Sequence, residues 1–442
     1  MRIPRWLDTC SSANCATATN QSTITLPTKH KQKQQHASDS STSSSSYSTT
    51  TSHDSTTSTL HSNTSIQTLP SVPSLQKLSP QTLNFSISHH CVTTLTPPQP
   101  SRPVTSLAPH HNLLYAAADH QIIVYDRHTC QILHTFNAGA TSSGCTKSIT
   151  FSDGMIFTTH QDRKIRVWRH DHNNNNNNHH HRMLTSLPTV SDRLRRFLLP
   201  NSYVTVRRHE KRLWIEHADA VTGLAVSNGV IYSVSWDRTL KIWRVSDLRC
   251  VESVKAHDDA INAVAVSGDG TVYTGSADRR IRVWAKPEGE KRHVLVATLE
   301  KHKSAVNALA LNDDGSVLFS GACDRSILVW EREDSANHMV VSGALRGHEK
   351  AILCLINVSD FLLSGSADRT VRVWKRGFDG PFCCLAVLDG HRKPVKSLAA
   401  VAESDQNSPD GVVSIFSGSL DGEIRVWQVS LTSLTAQDES NY

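Results

Sequence analysis

The sequence predicts an all-β protein: a closed ring of seven small four-stranded sheets, preceded by a disordered Ser/Thr-rich region. Three observations carry this. An aspartate is followed six residues later by an aromatic at seven places along the chain. Around each pair, short runs of alternating apolar residues recur in the same order. One such sheet has two apolar faces that it cannot bury alone, whereas seven sheets stacked radially bury one another's faces.

The pairs are Asp119–Tyr125, Asp162–Trp168, Asp237–Trp243, Asp278–Trp284, Asp324–Trp330, Asp368–Trp374 and Asp421–Trp427. Between them lie branched residues in alternation, as in "DRKIRVW", "DRTLKIW" and "DGEIRVW", the pattern of a half-buried strand. Upstream stands a first strand, as in "VTGLAV" (Val221–Val226), "INAVAV" (Ile261–Val266) and "VKSLAA" (Val395–Ala400). A second strand precedes each aspartate ("VIYSVS", "TVYTGS", "FLLSGS"), and a fourth follows the aromatic ("CVESV", "VLVATL", "CLAVL"). Turn residues such as "SGDG" and "NDDG" separate them. "HCVTTLTP" (His90–Pro97) reads as an outer strand with no sheet of its own, and little strand signal remains after Gln428. Residues 90–97 are therefore expected to complete the seventh sheet and lock the ring, which removes exposed edges.

Six of the aspartates have Ser or Thr four residues before them, and five units have a histidine four residues before the first strand. This gives five complete sets: His217, Ser233, Asp237, Trp243; His257, Thr274, Asp278, Trp284; His302, Ser320, Asp324, Trp330; His348, Ser364, Asp368, Trp374; and His391, Ser417, Asp421, Trp427. Ser, His and Asp together suggest a hydrolase, but five equivalent triads without an oxyanion-hole motif read as architecture. The first two units depart from the pattern. Tyr115 replaces the hydroxyl residue of unit 1 and Pro100 its histidine, and Ser142 stands at the histidine position of unit 2.

With its fixed internal offset, the repeat resembles the WD-repeat β-propeller family over about residues 83–430. The resemblance implies a seven-bladed propeller, a buried hydrogen-bond chain through each His, Ser/Thr, Asp and Trp set, and a docking face formed by the loops around the histidine and aspartate. No unit ends in Trp-Asp itself, which is a departure. "SVPSLQKL" (Ser71–Leu78), and "LPTVSDRLRRFLLPNSYVTVRRH" followed by "LWIEHADAV", are similar to the plant WD-repeat group typified by JINGUBANG. That likeness implies a plant regulatory protein acting through protein contacts in nucleus and cytoplasm.

The domain plan is then a disordered region over 1–82, a propeller over 83–430 and a flexible tail over 431–442. "SDSSTSSSSYSTTTSHDSTTSTL" (Ser38–Leu60) has too little apolar surface to offset ordering entropy. Within it and beyond, Ser79-Pro80 and Thr96-Pro97 are proline-directed phosphorylation candidates. An insertion over 169–202 carries "HDHNNNNNNHHH" (His170–His181) and a short helix in "VSDRLRRFLLP". Ser191 is placed to cap the helix, Asp192 to meet its positive end and Pro200 to stop it. Val190, Leu194, Phe197 and Leu198 form one apolar face, to dock on the propeller rim or on a partner. The clustered histidines suggest zinc, but no cysteine joins them and an asparagine run does not preorganise ligands, so no metal or cofactor is expected.

Net charge is +6 in 442 residues, with basic clusters at Arg193, Arg195 and Arg196 and at Arg207, Arg208, Lys211 and Arg212. These read as solvated faces rather than a nucleic-acid footprint. No stretch approaches the ~18 apolar residues of a membrane span, so no membrane partner is expected. The ten cysteines form no C-x-x-C pair, and reduced thiols in a cytoplasmic or nuclear protein follow. No glycine-rich phosphate loop or kinase signature is present. The sequence therefore points to a monomeric, non-enzymatic interaction scaffold. The alternative is a substrate receptor of a cullin-type ubiquitin ligase, although the usual motif after the aromatic is not matched. On the docking face, Trp236 stands where other units carry small or aliphatic residues, which suits an interface anchor. Between histidine and first strand the same face offers Asp258, Asp259, Lys303, Lys350, Arg392 and Lys393, of which Lys303, Lys350, Arg392 and Lys393 are taken with Trp236 as partner-binding candidates.

Overall fold

The computed structural model describes residues 72–74, 76–77, 85–98, 102–137, 141–172, 179–332, 339–377, 380–403 and 412–433. Most of the expected disordered region, together with Pro100, Ser79-Pro80 and the asparagine run, lies outside them. Seven antiparallel four-stranded sheets form the blades of a propeller. The first strands are Val104–His110, Thr146–Ser152, Val221–Ser227, Ile261–Val266, Val306–Leu311, Ile352–Val358 and Val395–Glu403. Each packs on the next, and the last returns to the first, so the ring is closed.

The core is divided among the seven gaps between blades. In each gap the repeat aromatic packs on the preceding blade: Tyr125 on blade 7, Trp168 on blade 1, Trp243 on blade 2, and so on to Trp427 on blade 6. Strand alternation supplies both faces at once. Cys383 enters the gap between blades 6 and 7, while its neighbour Cys384 enters the one between blades 5 and 6. The spacing is tight where second strands meet the next blade: a Cβ on Gly275 would stand 2.8 Å from Val306 Cγ1. This explains the glycine that opens the recurring "GSADR".

Closure follows the expected route over a longer strand. Phe85–Leu95 pairs antiparallel with Ile424–Ser433 and completes blade 7. The strand therefore extends past residue 430, into what was expected to be tail. A second departure concerns residues 72–74 and 76–77, expected to be disordered. Gln76–Lys77 adds a parallel strand to the edge of blade 6, and Pro73 O accepts from Ala344 N–H of blade 5 at 2.9 Å. Open edges with free backbone groups take up such a strap.

The insertion is also smaller than expected. His179–Leu187 pairs with Ile165–His172 and is the fourth strand of blade 2 itself. What is added is the helix α1 (Val190–Phe197) and a hairpin of Tyr203–Arg207 with Glu210–Leu213. The cap of α1 is Thr189, whose extended backbone lets its hydroxyl accept from Asp192 N–H at 3.2 Å. Ser191, the expected cap, is already inside the first turn and bonds Thr189 instead. The helix ends at Leu198, ahead of Pro200, which opens the next short turn.

Candidate interaction face

In five blades the four residues of each set meet in one chain of hydrogen bonds. Trp374 Nε1–H donates to Ser364 Oγ at 2.8 Å, Ser364 Oγ lies 2.8 Å from His348 Nε2, and His348 Nδ1 lies 2.7 Å from Asp368 Oδ2. Blades 3, 4, 5 and 7 repeat this through Ser233, Thr274, Ser320 and Ser417, with hydroxyl-to-histidine distances of 2.7–2.8 Å. A neutral histidine satisfies every group: the tryptophan donates to the hydroxyl, the hydroxyl to Nε2, and Nδ1–H to the carboxylate. Burial lowers the pKa of His217 despite the pull of Asp237. The connectivity matches a Ser-His-Asp triad, but all five hydroxyl residues are 0% exposed. A buried hydroxyl that already bonds an indole meets no substrate.

Each aspartate then ties two loops together. Asp237, Asp278, Asp324, Asp368 and Asp421 each accept from the backbone N–H that follows the histidine, namely Ala218, Asp258, Lys303, Glu349 and Arg392. Burial pushes these carboxyls up, but the histidine and the N–H donors outweigh it and hold all five below the usual carboxylate range, Asp278 at about 2. The arginine after the aspartate (Arg163, Arg238, Arg279, Arg325, Arg369) has φ between 70° and 77°. Its N–H closes the turn onto the residue three back. Turn geometry, as much as surface charge, accounts for that recurring position.

Blades 1 and 2 depart as expected, and blade 2 has a replacement that the spacing did not reveal. His160, two residues after Thr158 on the same strand, puts Nε2 2.9 Å from Thr158 Oγ1, which also accepts from Trp168 Nε1–H at 2.9 Å. The ring's Nδ1 faces Thr146 Oγ1 at 3.3 Å, and Asp162 pairs instead with Arg166 at 2.7 Å. Ser142 is exposed and takes no part. The signal was present in "TTHQDRK", where other blades carry Ser or Ala at the position of His160. In blade 1, Asp119 is held by His120 at 2.9 Å and by Cys145 Sγ at 3.0 Å.

The aspartate-tied loops surround one mouth of the central channel. In each inner strand the second residue bulges out of the ladder, which turns it toward the axis. These are Thr105, Lys147, Thr222, Asn262, Asn307, Leu353 and Lys396. Four of them brace the ring by bonding a carbonyl of the next blade: Thr105 to Thr146, Thr222 to Ile261, Asn262 to Val306 and Asn307 to Ile352, at 2.5–3.0 Å. The mouth holds a cavity of about 300 Å³ whose lining includes Lys147, Lys396, Leu353 and Trp236. Sequence reading missed the two lysines because strand alternation does not reveal a bulge.

Trp236 is half-buried, resting on Ala260, Ala277 and Ala305 of the neighbouring blades, with Lys147 Nζ 5.7 Å from its ring centre. Lys303, Lys350, Arg392 and Lys393 are exposed around the same mouth. Of the histidine run, His181 is drawn into an aromatic cluster with His134, Phe136 and Tyr115. Among the described residues the one metal-compatible group is His391, Asp421 and Glu423. His391 and Asp421 already serve the blade 7 chain, and Glu423 pairs with Arg425.

Comparison with known proteins agrees with this geometry. The family model "WD domain, G-beta repeat" matches residues 209–244, 248–285, 293–331, 339–375 and 382–428, which are blades 3 to 7. The two blades outside the match are those lacking the loop histidine. The small ribosomal subunit protein RACK1 of Drosophila melanogaster is 31% identical over 87 residues, 20% of this chain and 26% of the relative. Protein Notchless of the same fly is 34% identical over 82 residues, covering 19% and 16%. Autophagy-related protein 16 of Arabidopsis thaliana is 26% identical over 195 residues, covering 40% and 36%. The chain thus spans between 16 and 36% of the length of these relatives.

Proposed function

Because the chain forms a closed seven-bladed propeller whose blades 3 to 7 match the WD-repeat family model, we propose that it is a non-enzymatic interaction scaffold that engages partner proteins at the channel mouth carrying the aspartate-tied loops. The observation that supports this most is Trp236. An indole left half-exposed on a rigid alanine platform, beside a cavity lined by Lys147 and Lys396, suits an interface anchor with cationic neighbours. Lys303, Lys350, Arg392 and Lys393 extend the basic rim, so the partner segment would carry acidic side chains. The loops that hold these residues are pinned through Asp324 and Asp421, which lowers the ordering cost of binding. The finer reading, a regulatory adaptor of plant signalling in nucleus and cytoplasm, rests on the likeness of the 71–78 and 187–209 stretches.

The test compares affinity purification of wild type and Trp236→Ala from plant cells. Alanine at 236 matches Ala277 and Ala367 of other blades, so the variant should fold, with partners lost. An unchanged partner set from a folded variant refutes the anchor, and hydrolase or kinase turnover by the purified chain refutes the scaffold.

A further inference from the structure

The helix α1 is fastened to the propeller by its polar side. Asp192 is 2% exposed; its carboxylate accepts from Cys250 N–H at 3.3 Å and from Arg196 Nε at 3.1 Å. The Arg196 guanidinium lies 4.4 Å from the Trp214 ring centre, and Arg193 pairs with Glu216 at 3.3 Å. At 100° per residue the apolar stripe is opposite Asp192. Val190, Leu194, Phe197 and Leu198 are accordingly 72%, 65%, 63% and 82% exposed, and Leu199 and Val204 continue the exposed apolar surface. The rim does not cover the stripe, contrary to one of the two uses the sequence suggested.

We propose that this stripe seats on an anionic lipid surface, with α1 lying in the headgroup layer and spanning nothing. Charge selects the occupant. Arg195, Arg208 and Lys211 are exposed and carry no ion pair among the described residues. The one acid on α1 is buried on the far side, and the nearby Glu210 and Glu216 are paired with Arg212 and Arg193. A second copy of this chain would set the arginines of two helices against each other. A membrane rich in acidic headgroups takes both the leucine and phenylalanine side chains and the cations. The absence of a membrane-spanning helix among the described residues does not bear on a helix that lies flat.

The test is co-sedimentation of the full chain with phosphatidylcholine vesicles, with and without about 30 mol% phosphatidylserine. The expected result is binding to the anionic vesicles alone, weakening as salt is raised past about 0.1 M. Arg195→Gln should lower partitioning roughly fivefold, and Leu194→Asp with Leu198→Asp at least about tenfold. Leu198→Asp alone serves if the double variant does not fold. No sedimentation with anionic vesicles at low salt overturns the proposal, as does binding unchanged in a folded Leu198→Asp variant. Concentration-dependent self-association without lipid that Leu198→Asp abolishes assigns the stripe to a second copy and also overturns it. So does a partner protein that needs Leu194 and Leu198 while vesicles leave the chain unbound.

Discussion

Replacing Ser364 by alanine tests the claim that the hydroxyl is a structural node rather than a nucleophile. Ser364 is 0% exposed, and its Oγ serves two partners, Trp374 Nε1 and His348 Nε2, each at 2.8 Å. Alanine removes both bonds at once. Trp374 is itself 0% exposed, so water does not replace the lost acceptor, and the His348 Nε2 acceptor is left bare beside it. Each orphaned buried group costs roughly 1–3 kcal/mol, and partial relaxation brings the pair to about 3 kcal/mol. With an unfolding entropy of about 2.1 cal/mol/K per residue over ~330 residues, this lowers Tm by about 4 °C. Ser364→Thr is the control, since blade 4 runs the same chain through Thr274 Oγ1; it should stay within about 1 kcal/mol of wild type. The assay is urea unfolding followed by tryptophan fluorescence. A loss below about 0.5 kcal/mol for Ser364→Ala, or equal losses for alanine and threonine, refutes the reasoning.

His160→Ala should cost roughly 2 kcal/mol, because it strips Thr158 of its ring partner and leaves a hole in blade 2. His160→Ser should not rescue it, since blade 2 has no loop histidine; a neutral result in thermal melts refutes the substitution of one histidine for another. The five tetrad aspartates bind fewer protons folded than unfolded. Their stabilisation is therefore present above about pH 4 and erodes as pH falls through about 2, where Asp278 titrates, with the other four holding on lower still. Urea midpoints should drop over that window, with a shallower slope in Asp278→Asn, and a flat profile refutes it. Truncation that removes Phe85–Leu95 leaves the edge of Ile424–Ser433 unpaired. Light scattering should then report aggregation, and a monomeric, normally melting product refutes closure by that strand.

What was legible in the sequence was what repeats locally. Period-two alternation fixes which residues of a strand face each neighbouring blade, so the seven aromatics could be read from it, and fixed offsets gave the five His, Ser/Thr, Asp and Trp sets, whose hydrogen bonding the family resemblance implied. The closing strand was legible by elimination, because His90–Pro97 had strand pattern and no sheet. The tertiary structure decided the rest. "TTHQDRK" marks His160 as different from its counterparts, but only the folded blade shows its ring bonding Thr158 and facing Thr146 of the paired strand. Lys147 and Lys396 reached the channel only through bulges that shift register without a sequence mark. Residues 72–74 and 76–77 are placed by edges that blades 5 and 6 happen to leave open. The outward turn of α1 had to be seen as well. Periodicity says that a helix has two faces, but which face meets the protein depends on partners distant in the chain: Cys250 for Asp192, Trp214 for Arg196 and Glu216 for Arg193. A local pattern determines what a segment is; contacts between segments determine which way it points.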